Sequence, residues 1–201
     1  MVNLEEMEED STVKVRLAEP RDMSSIQELI KHSFRALADC VSDTTERETM
    51  AAKLETHAVT MASKELQEEH WASHFADPLS AFWVAEVVPN NVESNKEAVV
   101  VGCVAVKPHA DREGAELVRM AVSPTERGRG LGGKLVNALI EHCKDFGIQR
   151  VYLTTGNMRA ADFYSKMGFL VYSRFENSFF GKPMDVVRMI RYVTCGPIIN
   201  E

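Results

Sequence analysis

SPTERGRGLGGK, Ser123–Lys134, is the stretch on which the reading of this chain turns: four glycines (Gly128, Gly130, Gly132 and Gly133) fall within six residues. On one side lies Glu116–Val122 (ELVRMAV), with the composition of a strand. On the other, Gly130–Phe146 carries its apolar residues at helical spacing. A glycine-rich passage from strand to helix lets main-chain amides gather close to a ligand, and the helix start adds partial positive charge. An anion site is the physical expectation.

Four readings of that turn compete. Glycine can serve the geometry of a tight connection alone. Gly128, Gly130 and Gly133 satisfy G-x-G-x-x-G, but the acidic ribose ligand of a dinucleotide site, due about 20 residues on, is replaced by Leu153, Thr154 and Thr155. Gly128–Lys134 spells most of a P-loop, yet the position that must offer a hydroxyl to magnesium is Leu135. The fourth reading also uses the arginine. Arg127-x-x-Gly130-x-Gly132 resembles the coenzyme A pyrophosphate motif of the GNAT superfamily of N-acetyltransferases, R/Q-x-x-G-x-G/A, set between a strand and a helix as in that family.

A second motif extends the resemblance. Asn157, Ala160, Phe163, Tyr164, Gly168 and Phe169 stand as N-x-x-A-x-x-F-Y-x-x-x-G-F, which is similar to the segment that follows the pyrophosphate turn in GNAT proteins. The resemblance implies that acetyl-CoA is held by Arg127, Gly128, Arg129, Gly130, Leu131, Gly132 and Gly133, by the main chain of Met120, Ala121 and Val122, and by Asn157 and Tyr164. It implies a three-layer α/β GNAT fold, a mixed and mostly antiparallel sheet of about seven strands with helices on both faces. It also implies a catalytic pair. Tyr164 sits where the family has a tyrosine that protonates the departing thiolate, and a phenol in a cleft suits that task. Glu116 matches the glutamate that acts as general base in the family's histone acetyltransferases. A carboxylate partly removed from water beside the thioester can take the proton an amine must lose before its lone pair attacks. The amide of Met120 is placed to polarise the thioester carbonyl. The activity so implied is direct acetyl transfer to a primary amine, on a small molecule, a peptide or a protein, without a metal or a covalent enzyme intermediate. A coenzyme A-binding regulatory or scaffold domain is the alternative.

Outward from the turn, the remaining pattern is that of one α/β unit. Thr12–Ala18 alternates Val13, Val15 and Leu17 with polar residues, a half-buried strand. Pro20, Arg21 and Asp22 open a helix of about five turns carrying Ile26, Leu29, Ile30, Phe34 and Leu37. Residues 43–74 lack Pro and Gly and read as one broken helix or two. Ala81–Val88 and Glu97–Val106 read as a hairpin, Arg150–Thr155 as a strand, Met158–Met167 as a short helix stopped at Gly168, and Phe169–Arg174 with Asp185–Tyr192 as the last strands. Residues 1–11 read as an acidic tail, 12–193 as the domain and 194–201 as a short C-terminal tail.

Composition bounds the partners. At 201 residues, 45% hydrophobic and 26% charged, the chain suits a single globular domain. A formal charge of -7 disfavours nucleic acid and suits amine-bearing substrates. Cys40, Cys103, Cys143 and Cys195 lack metal-ligand spacing, and six dispersed histidines form no ligand set, His70 and His74 included. With reduced thiols, an acidic N-terminus and no apolar run near the roughly 20 residues of a membrane helix, a cytoplasmic or nuclear protein is expected, off the membrane. Trp71, Phe75, Trp83, Phe175, Phe179 and Phe180 are candidates either for lining the acceptor site or for ordinary core packing.

Overall fold

In the computed structural model the described residues are 11–35, 38, 43–65, 77–89, 98–110, 114–179 and 182–193. They form seven strands: β1 (Ser11–Leu17), β2 (Ala81–Pro89), β3 (Val99–Pro108), β4 (Ala115–Val122), β5 (Arg150–Thr155), β6 (Leu170–Phe179) and β7 (Lys182–Tyr192). Four α-helices accompany them, α1 (Met23–Arg35), α2 (Thr44–Glu65), α3 (Leu131–Asp145) and α4 (Met158–Lys166). The strands make one sheet in the order β1-β2-β3-β4-β5-β7-β6. All neighbours pair antiparallel except β4 and β5, which run parallel because α3 carries the chain back across the sheet. This is the mixed, mostly antiparallel sheet expected from the sequence.

Each face carries its own core. On one, α3 presents Leu131, Leu135, Leu139 and Cys143 to Val104, Val106, Leu117, Val151 and Met189, with Tyr164 and Phe169 closing the layer from the α4 side. On the other, Ile26 and Ile30 of α1 meet Phe82, Val84, Cys103, Ala105 and Ala121. α2 packs outside α1, where Met50, Ala51 and Leu54 meet Phe34. Residues that alternate along a strand thus serve opposite layers, which is why β3 reads as a near-continuous apolar run.

The structure departs from the sequence reading at element ends. The first helix opens with a 3-10 turn, Pro20–Asp22, in which the Asp22 carboxylate accepts the Glu19 amide at 2.8 Å and is gripped by Arg16 at 2.7 and 2.9 Å. Arg16 also reaches Glu86 at 2.8 Å. Asp22 and Glu86 are both buried. Burial pushes the Asp22 carboxyl up, but the Arg16 fork and the Glu19 amide outweigh it and hold the group below its ordinary value. The final hairpin is longer than Phe169–Arg174 and Asp185–Tyr192 suggested, because main-chain pairing continues through Glu176↔Asp185, Asn177↔Met184 and Ser178↔Pro183, where no apolar alternation marks it. The helical region holds α2 through Glu65; His70, Trp71, His74 and Phe75 lie outside the described residues, as do residues 1–10 of the N-terminal tail, whose last residue Ser11 instead begins β1, the C-terminal tail at 194–201, Leu37, Cys40, Phe180 and Cys195. No described helix is long and apolar enough to cross a membrane.

Candidate active site

The site begins where β4 leaves its parallel partner. β4 and β5 are joined at Ala115↔Val151 and Glu116↔Tyr152 and nowhere further along. β5 stays with β7 as far as Thr155↔Val187, and β4 stays with β3 as far as Val122↔Gly102. The strands therefore part like the arms of a V, leaving one edge of Leu117–Val122 without a strand against it. A bulge drives the divergence: between Cys103↔Ala121 and Ala105↔Val118, Arg119 and Met120 together oppose Val104. Arg119 sits at φ 55, a left-handed conformation uncommon for a residue with a Cβ, and its carbonyl accepts the Cys103 thiol at 3.3 Å. The bulge also flips the alternation. Ala115 and Leu117 face the α3 layer before it, and Met120 and Val122 do so after it.

The open edge leads into the glycine turn. Pro124–Glu126 forms a 3-10 turn, the chain turns left-handed at Gly128 (φ 84) and Gly130 (φ 76), and α3 starts at Leu131 with Gly130 as its N-cap. No side chain caps that end. The first amides of α3 therefore have neither an intrahelical acceptor nor a capping oxygen. Arg127 bends back so that Nε donates to the Val122 carbonyl at 3.4 Å, and Arg129 pairs with Glu126 at 2.6 Å. Both guanidinium groups stay at the surface beside the helix entrance. Gly132 serves another purpose: a Cβ there would lie 3.1 Å from Phe163 Cζ and 3.2 Å from Met120 Cε. The second residue of α3, the bulge of β4 and the residue preceding Tyr164 thus converge on one point.

α4 delivers the aromatic pair. Asn157 caps it by accepting the Ala160 amide at 3.2 Å, and its own amide donates to Thr155 Oγ1 at 3.0 Å, so this side chain has a structural task. Tyr164 is 6% exposed and packs edge-to-face on Phe169 at 5.6 Å. Its hydroxyl makes no hydrogen bond to any described residue. Burial alone raises the phenol well above its ordinary value, so it stays protonated throughout the neutral range.

Glu116 occupies the opposite face. It precedes the bulge, shares the α1 side with Val118, and stands beside Tyr152 where β4 and β5 still touch. Lys107, opposite it on β3, places Nζ 3.3 Å from Glu116 Oε2. Tyr152 is stacked by His109 at 4.2 Å and met edge-on by Tyr172 at 6.1 Å; further along the same face Arg188 lies over Phe175 at 4.8 Å. Lys107 belongs to no sequence motif, because a lysine ending an apolar strand looks like an ordinary boundary residue. Trp83, in contrast, is core: it is 7% exposed and edge-on to His142 at 5.1 Å. Cys103 is fully buried, and burial pushes its thiol up to about 12, which keeps it a poor nucleophile. Among the described residues no group of three or more His, Cys, Asp or Glu could hold a metal ion.

A profile of the Acetyltransferase (GNAT) family matches residues 42–169. Histone acetyltransferase GCN5 of Debaryomyces hansenii is 36% identical over 37% of this chain and 16% of its own length. N-acetyltransferase 8 of Rattus norvegicus is 34% identical over 48% of this chain and 42% of its own length. The chain thus spans less than half the length of these curated relatives. Among solved structures, a GNAT superfamily phosphinothricin acetyltransferase from Sinorhizobium meliloti, in complex with AcCoA, superposes with a TM-score of 0.62 at 17% identity, covering 94% of this chain and 92% of that one. That likeness establishes a common fold.

Proposed function

The chain belongs to the Acetyltransferase (GNAT) family, and on that premise we propose that it transfers the acetyl group of acetyl-CoA to a primary amine by direct attack, with Glu116 as general base and Tyr164 as general acid. The observation that carries the reading is the continuity of the open β4 edge with the uncapped start of α3. A strand edge that no neighbouring strand covers suits the amide-bearing pantetheine arm, and a helix start without a capping side chain suits a diphosphate. Acetyl-CoA, when bound, supplies an acyl group activated as a thioester.

The chain's own residues divide the work. The amides of Gly128–Gly133 bind the diphosphate, with Arg127 and Arg129 adding charge at the rim. The main chain of Met120, Ala121 and Val122 orients the arm, and the Met120 amide, outside the ladder register at the bulge, donates to the developing oxyanion. Asn157 contributes by fixing the start of α4, whatever further contact it makes. Glu116, on the α1 face at the closed end of the V, takes the proton of the incoming amine. Tyr164 donates its proton toward the departing sulfur from a site that holds the phenol neutral. The acceptor is a primary amine on a small molecule, a peptide or a protein.

Calorimetry with coenzyme A and thiol release from acetyl-CoA across a panel of amines test this together. Binding plus amine-dependent thiol release is expected. Binding without release for any amine would instead mark a coenzyme A-binding regulatory domain.

A further inference from the structure

The candidate base already has an amine beside it. Lys107 and Glu116 face each other across the β3–β4 ladder, Nζ to Oε2 is 3.3 Å, and the side chains are 45% and 29% exposed. A general base works on a proton within hydrogen-bond reach or one water away. The nitrogen of an incoming acceptor must therefore approach the ground that Lys107 Nζ now holds. The other polar groups on this face have different chemistry: Tyr152 is a phenol, His109 an imidazole and Arg188 a guanidinium engaged over Phe175. Lys107 has the chemistry of the acceptor itself, a primary amine on a flexible four-carbon stem with room to swing.

We propose that Lys107 is an acetylation site modified by the protein's own active site, in cis. The inference rests on the reading of Glu116 as base and Tyr164 as acid. Glu116 removes one proton from the Lys107 ammonium, and the Nζ lone pair forms the bond to the acetyl carbon. The carbon–sulfur bond breaks, its electron pair leaves on sulfur, and Tyr164 supplies the proton that makes the thiol. The second nitrogen proton, lost as the amide forms, restores the phenol, and the proton on Glu116 passes to water. The acetylated side chain is uncharged, so the ion pair with Glu116 ends and the base is left open to external amines. Lys107 is in this sense a first substrate that, once consumed, stops competing with later ones.

The experiment uses the full chain with acetyl-CoA and no added amine, followed by peptide mass spectrometry. One acetyl group on Lys107 is expected, at a rate independent of protein concentration, and Glu116→Gln slows it roughly 100-fold. Spontaneous acylation, by contrast, does not need the carboxylate and would proceed equally in Glu116→Gln. Lys107 left bare while added amines are turned over would overturn the proposal and leave the enzyme reading standing. So would equal acetylation in Glu116→Gln. No thiol release with any amine, together with a bare Lys107, overturns the enzyme reading as well.

Discussion

Replacing Gly130 by alanine tests the turn at its most constrained point. Gly130 sits at φ 76 and a Cβ there meets nothing within 4 Å, so the substitution introduces conformational strain without a clash. A left-handed residue bearing a Cβ costs about 1–2 kcal/mol, and the lower entropy of the unfolded chain offsets roughly 0.5 kcal/mol of that. The net penalty is about 1 kcal/mol, equivalent for a chain of this size to a drop in Tm of roughly 2–4 °C. Gly133 is the internal control. It lies in the first turn of α3 outside the positive-φ set, and its Cβ would come no closer than 3.8 Å to Met167 Sδ. Alanine there gains helix propensity and loses unfolded-state entropy, so Gly133→Ala should be neutral or stabilising by up to ~1 kcal/mol. If Gly130→Ala instead relaxes the turn in the free protein, the same penalty reappears when coenzyme A rebuilds it, as about a fivefold weaker Kd. Thermal denaturation and isothermal calorimetry on both variants read the two terms. Gly130→Ala matching the parent in both Tm and Kd, or Gly133→Ala losing as much Tm as Gly130→Ala, would refute the argument that left-handed geometry shapes this anion site.

Tyr164→Phe keeps the packing against Phe169 and removes a buried hydroxyl without a described partner, so Tm should hold or rise while kcat falls by roughly 10²-fold or more; a parental kcat would remove Tyr164 as the acid. Glu116→Gln should lower kcat/KM most at neutral pH and progressively less as pH rises, since an amine that ionises by itself needs the base less. A loss that is constant across pH would assign Glu116 another role. Asp22→Asn breaks the buried contact with Arg16 and should cost about 3 kcal/mol in denaturant unfolding near neutral pH. Because the folded Asp22 carboxyl lies below its ordinary value, its stabilisation is complete above the unfolded value and is lost as pH falls through the folded one. The gap between parent and variant should therefore close in acid; a gap independent of pH would show that charge is not what Asp22 contributes.

Much of the candidate site is written locally. A glycine that must adopt a left-handed φ, a helix that starts without a capping side chain, and a phenylalanine–tyrosine pair ahead of a glycine stop are properties of neighbouring residues, so Arg127–Gly133 and Asn157–Phe169 stand out in the amino-acid sequence alone. The strand alternation of Thr12–Ala18 and the stripe of α3 are legible for the same reason. The ends of β6 and β7 are not, since backbone pairing through Glu176 and Asp185 leaves no periodic trace in side-chain polarity.

Long-range pairing decided the rest. The insertion of β7 between β5 and β6, the parting of β4 from β5 after Glu116, and the bulge that sets Arg119 at φ 55 all depend on which strands meet and in what register. Burial of the Tyr164 hydroxyl and the approach of Lys107 to Glu116 follow from those pairings. Sequence by itself therefore determined which groups with the right chemistry exist and the local backbone that presents them. Only the tertiary structure decided which face each occupies and what stands beside it, because a single bulged residue is enough to exchange the two faces of a strand.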